Sequence, residues 1–157
     1  MDLILWRHAE AEDWLPDDKA SVLDVDRSLT QRGEKQAARM ALWLDRQLPE
    51  GARILVSPAR RCEQTALALG RKYKTRAELA SDATAAQLLE LVQWSTSKYP
   101  VLVVGHQPML GKTIAQLLSL KEGDCAIKKG ALWWLRNRDR DGQTQTVVVT
   151  VQSPDLL

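Results

Sequence analysis

The sequence contains only two histidines, and each one follows directly behind a short apolar run. Arg7 and His8 come after Leu3–Trp6, and His106 comes after Val101–Val104 and one glycine. Short apolar runs of this kind are typical of buried strands. The carboxyl ends of parallel strands meet at one edge of a sheet, where open α/β folds bind their ligands. We therefore predict that the two histidines meet at this edge.

Strands and helices are expected to alternate along the chain, because apolar runs alternate with stretches of helical periodicity. Strands are predicted at 2–6, 53–56, 75–79 and 101–104, followed by a hairpin of 131–135 and 146–151. Between them, helices are expected to begin at Thr30, at Ser57-Pro58, at Thr84 and after Pro108. A polar loop, with a turn at Pro16-Asp17-Asp18, is predicted over 9–29. The fold class is α/β: one domain over residues 1–157, a three-layer sandwich with a mainly parallel central sheet and helices on both faces.

Composition narrows the range of partners and compartments. The net charge of +2 gives no reason to expect nucleic acid or a membrane surface as partner. No apolar stretch approaches the roughly 20 residues of a membrane span, and the N-terminus does not resemble a signal peptide. The two cysteines have no framework spacing, which suits a reducing compartment. We therefore expect a cytoplasmic protein.

Arginines are predicted at the same sheet edge as the histidines. Arg7 precedes His8, and Arg61 lies in the first turn of the helix after the second strand, from which its side chain leans back over the strand end. The amino end of that helix also favours an anion. Arg27 has no comparable argument from placement. An anion between two arginines and two imidazoles is most naturally a phosphoryl group, whose oxygens accept from the planar guanidinium.

Other chemistries fit the sequence less well. Neither Cys62 nor Cys125 has an arginine six positions later, as a cysteine phosphatase requires. The segment from Gly105 to Thr113 resembles a Walker A loop but has one residue too many between its glycines, and Pro108 removes an amide donor. The sequence lacks a histidine pair or Cys/His cluster of zinc spacing and a G-x-S-x-G elbow. We expect neither a metal nor another cofactor.

The same residues form four motifs that resemble the histidine phosphatase superfamily. An Arg-His-Gly signature is matched with alanine in place of glycine, and S-P-x-x-R-x-x-Q-T and G-H-x-P are matched in full. A D-x-x-R-P-L-T-x-x-G segment resembles that of the small SixA-like phosphohistidine phosphatases, with serine in place of proline. These motifs lie at Arg7-His8-Ala9, Ser57–Thr65, Gly105–Pro108 and around Asp26–Gly33.

The resemblance implies a phosphoglycerate mutase-like fold and a phosphatase that works through a phosphohistidine on His8. Its substrate would be a phosphohistidine on a phosphotransfer or signalling protein, and the enzyme is expected to act as a monomer. A phosphate or sulfate ion should occupy the pocket. The residues implied to bind the phosphate are Arg7, Arg61, His106 and Arg27.

The general acid is the open part of this interpretation. Glu78 and Asp82 are the candidates in the short segment where larger members carry an acid. A site without an acid should favour the P–N bond, because a protonated phosphohistidine leaves as neutral imidazole whereas an alkoxide needs a proton. Two alternatives stay open: a phosphatase or mutase for small phosphate monoesters, and a non-catalytic phosphate-binding module. We also expect Ala9 to have a negative φ, because a positive φ there would be strained.

Overall fold

A six-stranded mixed sheet forms the centre of the computed structural model, which describes residues 1–14 and 23–157. The strand order is β3-β2-β4-β1-β5-β6, and β1 to β4 are parallel whereas β5 and β6 are antiparallel. The strands are β1 (Asp2–Arg7), β2 (Arg53–Val56), β3 (Lys74–Thr75), β4 (Val101–Gly105), β5 (Leu132–Arg140) and β6 (Gln143–Gln152).

Four α-helices cover the two faces of the sheet. They are α1 (Gln31–Gln47), α2 (Arg60–Leu67), α3 (Ala85–Leu91) and α4 (Met109–Leu118). Side chains of α1 and α2, such as Met40 and Ala66, pack with Trp6 on one face. Leu88 of α3 and Ile114 of α4 pack on the opposite face. The predicted three-layer α/β fold is thus confirmed.

Two of the predicted helix caps, Thr30 and Thr84, are confirmed. The Thr30 hydroxyl accepts from the Gly33 amide, and Thr84 forms a reciprocal capping box with Gln87. The prediction for α2 was wrong by two residues, because the helix begins at Arg60 and the Ser57 side chain is engaged elsewhere.

The predicted strand at the edge of the sheet and the predicted first loop need separate comparison with the structure. The strand predicted at 75–79 is only the pair Lys74–Thr75, and the chain turns into a 3₁₀ helix at Ala77–Leu79. The turn predicted at Pro16–Asp18 lies outside the described residues. In the described part of the first loop, Ala11 pairs with Leu29 and a 3₁₀ helix forms at Asp24–Asp26.

The register of β1 and β4 fixes the edge at which the histidines emerge. Arg7 pairs with Gly105, so that His8 and His106 leave the sheet side by side. The His8 amide donates to the Gly105 carbonyl at 3.1 Å. The predicted meeting of two distant strand ends is therefore present in the fold. Within the described residues, no helix is long and apolar enough to cross a membrane.

Candidate active site

A cleft of about 180 Å³ lies at the carboxyl edge of the parallel strands. It gathers side chains from three strand ends and from loops on both sides. The lining residues are Arg7, His8, Ala11, Asp13, Arg27, Arg61, Ser81, His106, Gln107 and Lys129. A wider groove of about 590 Å³ at the β2–β3 edge is lined by no histidine, cysteine or carboxylate. Cations line both, but the smaller cleft is the one that combines them with histidine nucleophiles.

The His8 ring is held so that one nitrogen faces a backbone acceptor. Its Nδ1 lies 2.7 Å from the carbonyl oxygen of Ala9. Because a carbonyl oxygen only accepts, Nδ1 carries the proton and Nε2 keeps its lone pair. Burial lowers the pKa of His8 to about 3, in spite of the opposing hydrogen bond that Nδ1 donates to the Ala9 carbonyl. The imidazole is thus neutral near pH 7 and available as a nucleophile at Nε2.

Alanine fits at position 9 because its backbone has an ordinary conformation. Ala9 does not have a positive φ, so the predicted negative φ is confirmed. Its methyl group is buried in a small cluster with Ala11, Leu29 and Ala37. The Ala9 amide donates to the Thr65 hydroxyl at 3.0 Å, which fixes the backbone next to His8.

His106 is engaged at both ring nitrogens. Arg61 Nη2 lies 3.2 Å from Nδ1, and Ser57 Oγ lies 2.7 Å from Nε2. A guanidinium only donates, so Nδ1 is the acceptor and Nε2 donates its proton to the Ser57 hydroxyl. Burial, followed by the charge of Arg61, lowers the pKa of His106 to about 4. This ring is therefore also neutral in the free protein.

The two rings face each other edge to face. Their centroids are 5.5 Å apart and their planes are inclined by 62°. His8 and His106 are only 7% and 2% exposed. At this spacing the rings contact each other, so a phosphoryl group would bind against both rings and not between them.

Two arginines present unpaired donors in the same place. Arg61 is 3% exposed and Arg7 is half-buried, and the Nε atom of each is buried with no hydrogen-bond partner among the described residues. Arg7 Nη1 donates to the Ile127 carbonyl at 2.6 Å, and Arg61 Nη1 donates to the Asp24 carbonyl at 2.9 Å. Buried donors without acceptors are costly, and an oxyanion would satisfy them. The charge and the donors together suit a phosphoryl group.

Arg27 lies in the cleft but is tied to its own loop. Its Nε donates to Asp24 Oδ1 at 2.8 Å, and its Nη1 donates to the Glu12 carbonyl at 2.8 Å. Asp24 also faces Arg61, with Oδ2 at 3.4 Å from Nη2. One carboxylate thus connects both arginines.

The two carboxylates proposed as general acids lie away from the cleft. Glu78 pairs with Arg76 at 2.9 Å, and Asp82 is exposed. From this segment it is Ser81 that reaches the lining, and among the described residues the lining carboxylate is Asp13. Around the described side chains, no cluster of three or more histidine, cysteine or acidic residues could hold a metal ion.

Several residues of the site had not been predicted as part of it. Ser57 and Gln107 lie in the motifs after β2 and β4, and Asp24 stands three residues before Arg27, as the D-x-x-R pattern requires, so these positions were a usable signal. Asp13 and Lys129 reach the cleft through loop geometry, for which no sequence pattern exists.

Comparison with known proteins identifies relatives of this chain by sequence. Residues 3–83 match the model of the histidine phosphatase superfamily, branch 1. Phosphohistidine phosphatase SixA of Escherichia coli K12 is 34% identical over 125 residues, which cover 74% of each chain. The match to the family model contains the motifs at Arg7-His8 and Ser57–Thr65.

Solved structures agree over nearly the full length. The protein histidine phosphatase SixA complexed with tungstate has a TM-score of 0.74 at 28% identity, covering 99% of both chains. The SixA protein of Agrobacterium tumefaciens has a TM-score of 0.77 at 26% identity, covering 98% of this chain and 97% of that chain. The predicted similarity to SixA-like phosphatases is confirmed. By its motifs, its fold and these relatives, the chain belongs to the histidine phosphatase superfamily.

Proposed function

We propose that the protein is a phosphohistidine phosphatase, which removes the phosphoryl group from a histidine of a phosphotransfer or signalling protein. The observation that carries the proposal is the convergence of two neutral imidazoles, one buried guanidinium group and one half-buried guanidinium group on one small cleft. The relative from Escherichia coli is a phosphohistidine phosphatase, and a SixA structure holds tungstate, an analogue of phosphate. Both relatives support the same chemistry here.

The proposed reaction has two steps. His8 Nε2 attacks phosphorus while the P–N bond of the substrate breaks, and the substrate histidine leaves as neutral imidazole because it is protonated. Water then attacks the phosphohistidine on His8 and releases inorganic phosphate. Arg7, Arg61 and His106 stabilise the equatorial oxygens in both steps. A bound phosphoryl dianion raises the pKa of His106 from its low value, and the added proton goes to Nδ1, which then donates to the phosphate in place of accepting from Arg61.

The size of the cleft favours a phosphorylated side chain as substrate. Pockets that enclose whole small ligands usually measure about 300–1,000 Å³. The cleft is about 180 Å³, enough for a phosphoryl group and the ring that carries it. A phosphohistidine presented on a protein surface would leave the rest of its chain outside.

A second function is favoured by one specific residue. The carboxylate of Asp13 lines the cleft, where a general acid for an alkoxide leaving group would have to lie. This arrangement supports the alternative of a phosphatase or mutase for small phosphate monoesters. Asp13→Asn should then abolish ester turnover and spare phosphohistidine turnover.

Direct comparison of substrates tests the proposal. A histidine phosphotransfer domain, phosphorylated with phosphoramidate, is compared with sugar phosphates and phosphoserine at equal concentration. We expect rapid release of phosphate from the phosphotransfer domain and little from the esters. Faster turnover of an ester would favour the alternative, and phosphate binding without turnover of any donor would favour a binding module.

The proposal includes a cytoplasmic location and a monomeric state. Cys62 and Cys125 are free thiols, which suits the reducing cytoplasm. His8, Arg7, Arg61 and His106 all come from one chain, which suits a monomeric enzyme.

A further inference from the structure

The short segment from Ile127 to Ala131 is fastened directly to the strand that carries the nucleophile. The Gly130 amide donates to the His8 carbonyl at 3.0 Å, and the Arg7 amide donates to the Ala131 carbonyl at 3.0 Å. Arg7 Nη1 donates to the Ile127 carbonyl at 2.6 Å. The two lysines within this segment are therefore held next to the proposed nucleophile by three hydrogen bonds.

These two neighbouring lysines have different surroundings. Lys128 is directed to Asp155, with Nζ 3.7 Å from Oδ2, and does not line the cleft. Lys129 lines the cleft, is exposed, and forms neither an ion pair nor a side-chain hydrogen bond among the described residues. Within the described residues, the cleft thus holds one ammonium group that forms no ion pair, and a paired one lies beside it outside the cleft.

Each of the three arginines of the cleft donates to another group of the protein. Arg27 and Arg61 share Asp24, and Arg7, which has no carboxylate partner among the described residues, donates to the Ile127 carbonyl. Arg61 is also almost fully buried, so its remaining donors serve a group deep in the cleft. Lys129 is exposed and belongs to the mouth, where the part of the substrate next to the reacting group must pass. A flexible, strongly hydrated ammonium at such a rim selects partners by charge.

We propose that Lys129 is a specificity-determining residue, which recognises an acidic side chain close to the phosphohistidine of the substrate protein. This inference rests on the proposed function, because it concerns what surrounds the phosphohistidine. An ion pair at the rim adds affinity and speeds association, and both effects weaken with salt. Substrates with a basic residue in the same place would be disfavoured.

Paired synthetic peptides test this recognition. Both carry the same phosphohistidine, flanked by glutamate in one peptide and by lysine in the other. We expect the protein to prefer the glutamate peptide about tenfold in kcat/KM at low ionic strength, and less at high salt. Lys129→Glu should invert the preference, whereas the matched control Lys128→Glu should keep it.

The ratio of kcat/KM for the two peptides distinguishes the possible outcomes. If Lys129→Glu lowers both rates equally and leaves the ratio unchanged, Lys129 serves the phosphate and the inference is overturned. Equal turnover of both peptides by the unaltered protein also overturns it, while the proposed function stands. If the unaltered protein hydrolyses neither peptide nor a phosphorylated phosphotransfer domain, the proposed function itself fails.

Discussion

The Ser57 hydroxyl lies 2.7 Å from Nε2 of His106, and the opposite nitrogen of the same ring lies 3.2 Å from Arg61. Ser57 and Arg61 come from one motif, and His106 comes from the neighbouring strand end. The tautomer of His106 is therefore fixed by two residues of the motif after β2. This link couples the proposed phosphate-binding imidazole to the proposed phosphate-binding arginine.

Removing the Ser57 hydroxyl should impair the reaction more than the fold. In Ser57→Ala the buried Nε2–H of His106 loses its acceptor, an unsatisfied donor that costs about 1–3 kcal/mol, and the ring is then held at Nδ1 by Arg61 alone. We expect kcat/KM for a phosphohistidine substrate to fall about tenfold or more. The control is Ser97→Ala, because that hydroxyl binds the Tyr99 carbonyl on the surface. Equal activity of the two variants would contradict the role of Ser57.

Asp24 should affect substrate affinity through the arginines that it connects. Asp24→Asn removes the charge that faces Arg61 and Arg27, so that the two guanidinium groups lose a shared anchor. Asp24 is partly exposed, so we expect only about a fivefold rise in KM with little change in kcat. Asp26→Asn is the matched control, because Asp26 is exposed on the same 3₁₀ helix. A similar KM in both variants would rule out this anchoring.

The two buried histidines should make stability depend on pH. Burial lowers the pKa of His8 to about 3 and that of His106 to about 4, whereas an unfolded chain titrates near ~6.5. In the window between these values the unfolded chain binds more protons, so the free energy of unfolding rises with pH from about 4 to about 6.5. As the pH falls below the pKa of histidine in the unfolded chain, the free energy of unfolding therefore decreases progressively.

Urea unfolding across this range measures the effect. His106→Asn removes one of the two groups, so its unfolding free energy should change less steeply with pH than that of the unaltered protein. Carboxylates such as Asp2, whose pKa is lowered mainly by a hydrogen bond from Arg136, are common to both proteins and cancel in the difference. A difference that stays constant with pH would contradict the assignment of neutral His106.

Gly33 should be required for the backbone that follows the nucleophile. A Cβ at this position would collide with the carbonyl of Glu10, which lies two residues after His8. We expect Gly33→Ala to lower the free energy of unfolding by about 3 kcal/mol, because backbone rather than a flexible side chain must move. In the control Gly51→Ala the new Cβ meets Tyr99 at an ordinary 3.5 Å. Thermal unfolding that shows equal losses would refute the steric argument.

The sequence was sufficient to predict the elements that depend on apolar periodicity and strand order. Short apolar runs such as Leu3–Trp6 are typical of buried strands, and parallel strands bring His8 and His106 to one edge. The role of Ser57 was not accessible in this way. Serine before proline is typical of a helix cap, and only the position of β4 reveals that the hydroxyl serves His106 instead.

The contacts of site residues that lie on loops could not be predicted from the sequence. Asp24 reaches Arg61 and Lys129 reaches the cleft through turns that no periodicity encodes. The candidates Glu78 and Asp82 were chosen by their place in the chain, but the 3₁₀ helix at Ala77–Leu79 directs Ser81 to the cleft. Side chains on strand ends are positioned by the sheet, whereas those on loops are positioned by contacts that are distant in sequence.

Rapid-quench analysis of phosphate transfer tests the central claim most directly. The protein is mixed with a radiolabelled phosphotransfer domain, and the label on each chain is followed over time. We predict that label passes transiently to His8 of the unaltered protein before it appears as inorganic phosphate. Neither the labelled enzyme nor phosphate release should be seen with His8→Ala. Phosphate release by His8→Ala at the rate of the unaltered protein would contradict the proposed covalent mechanism.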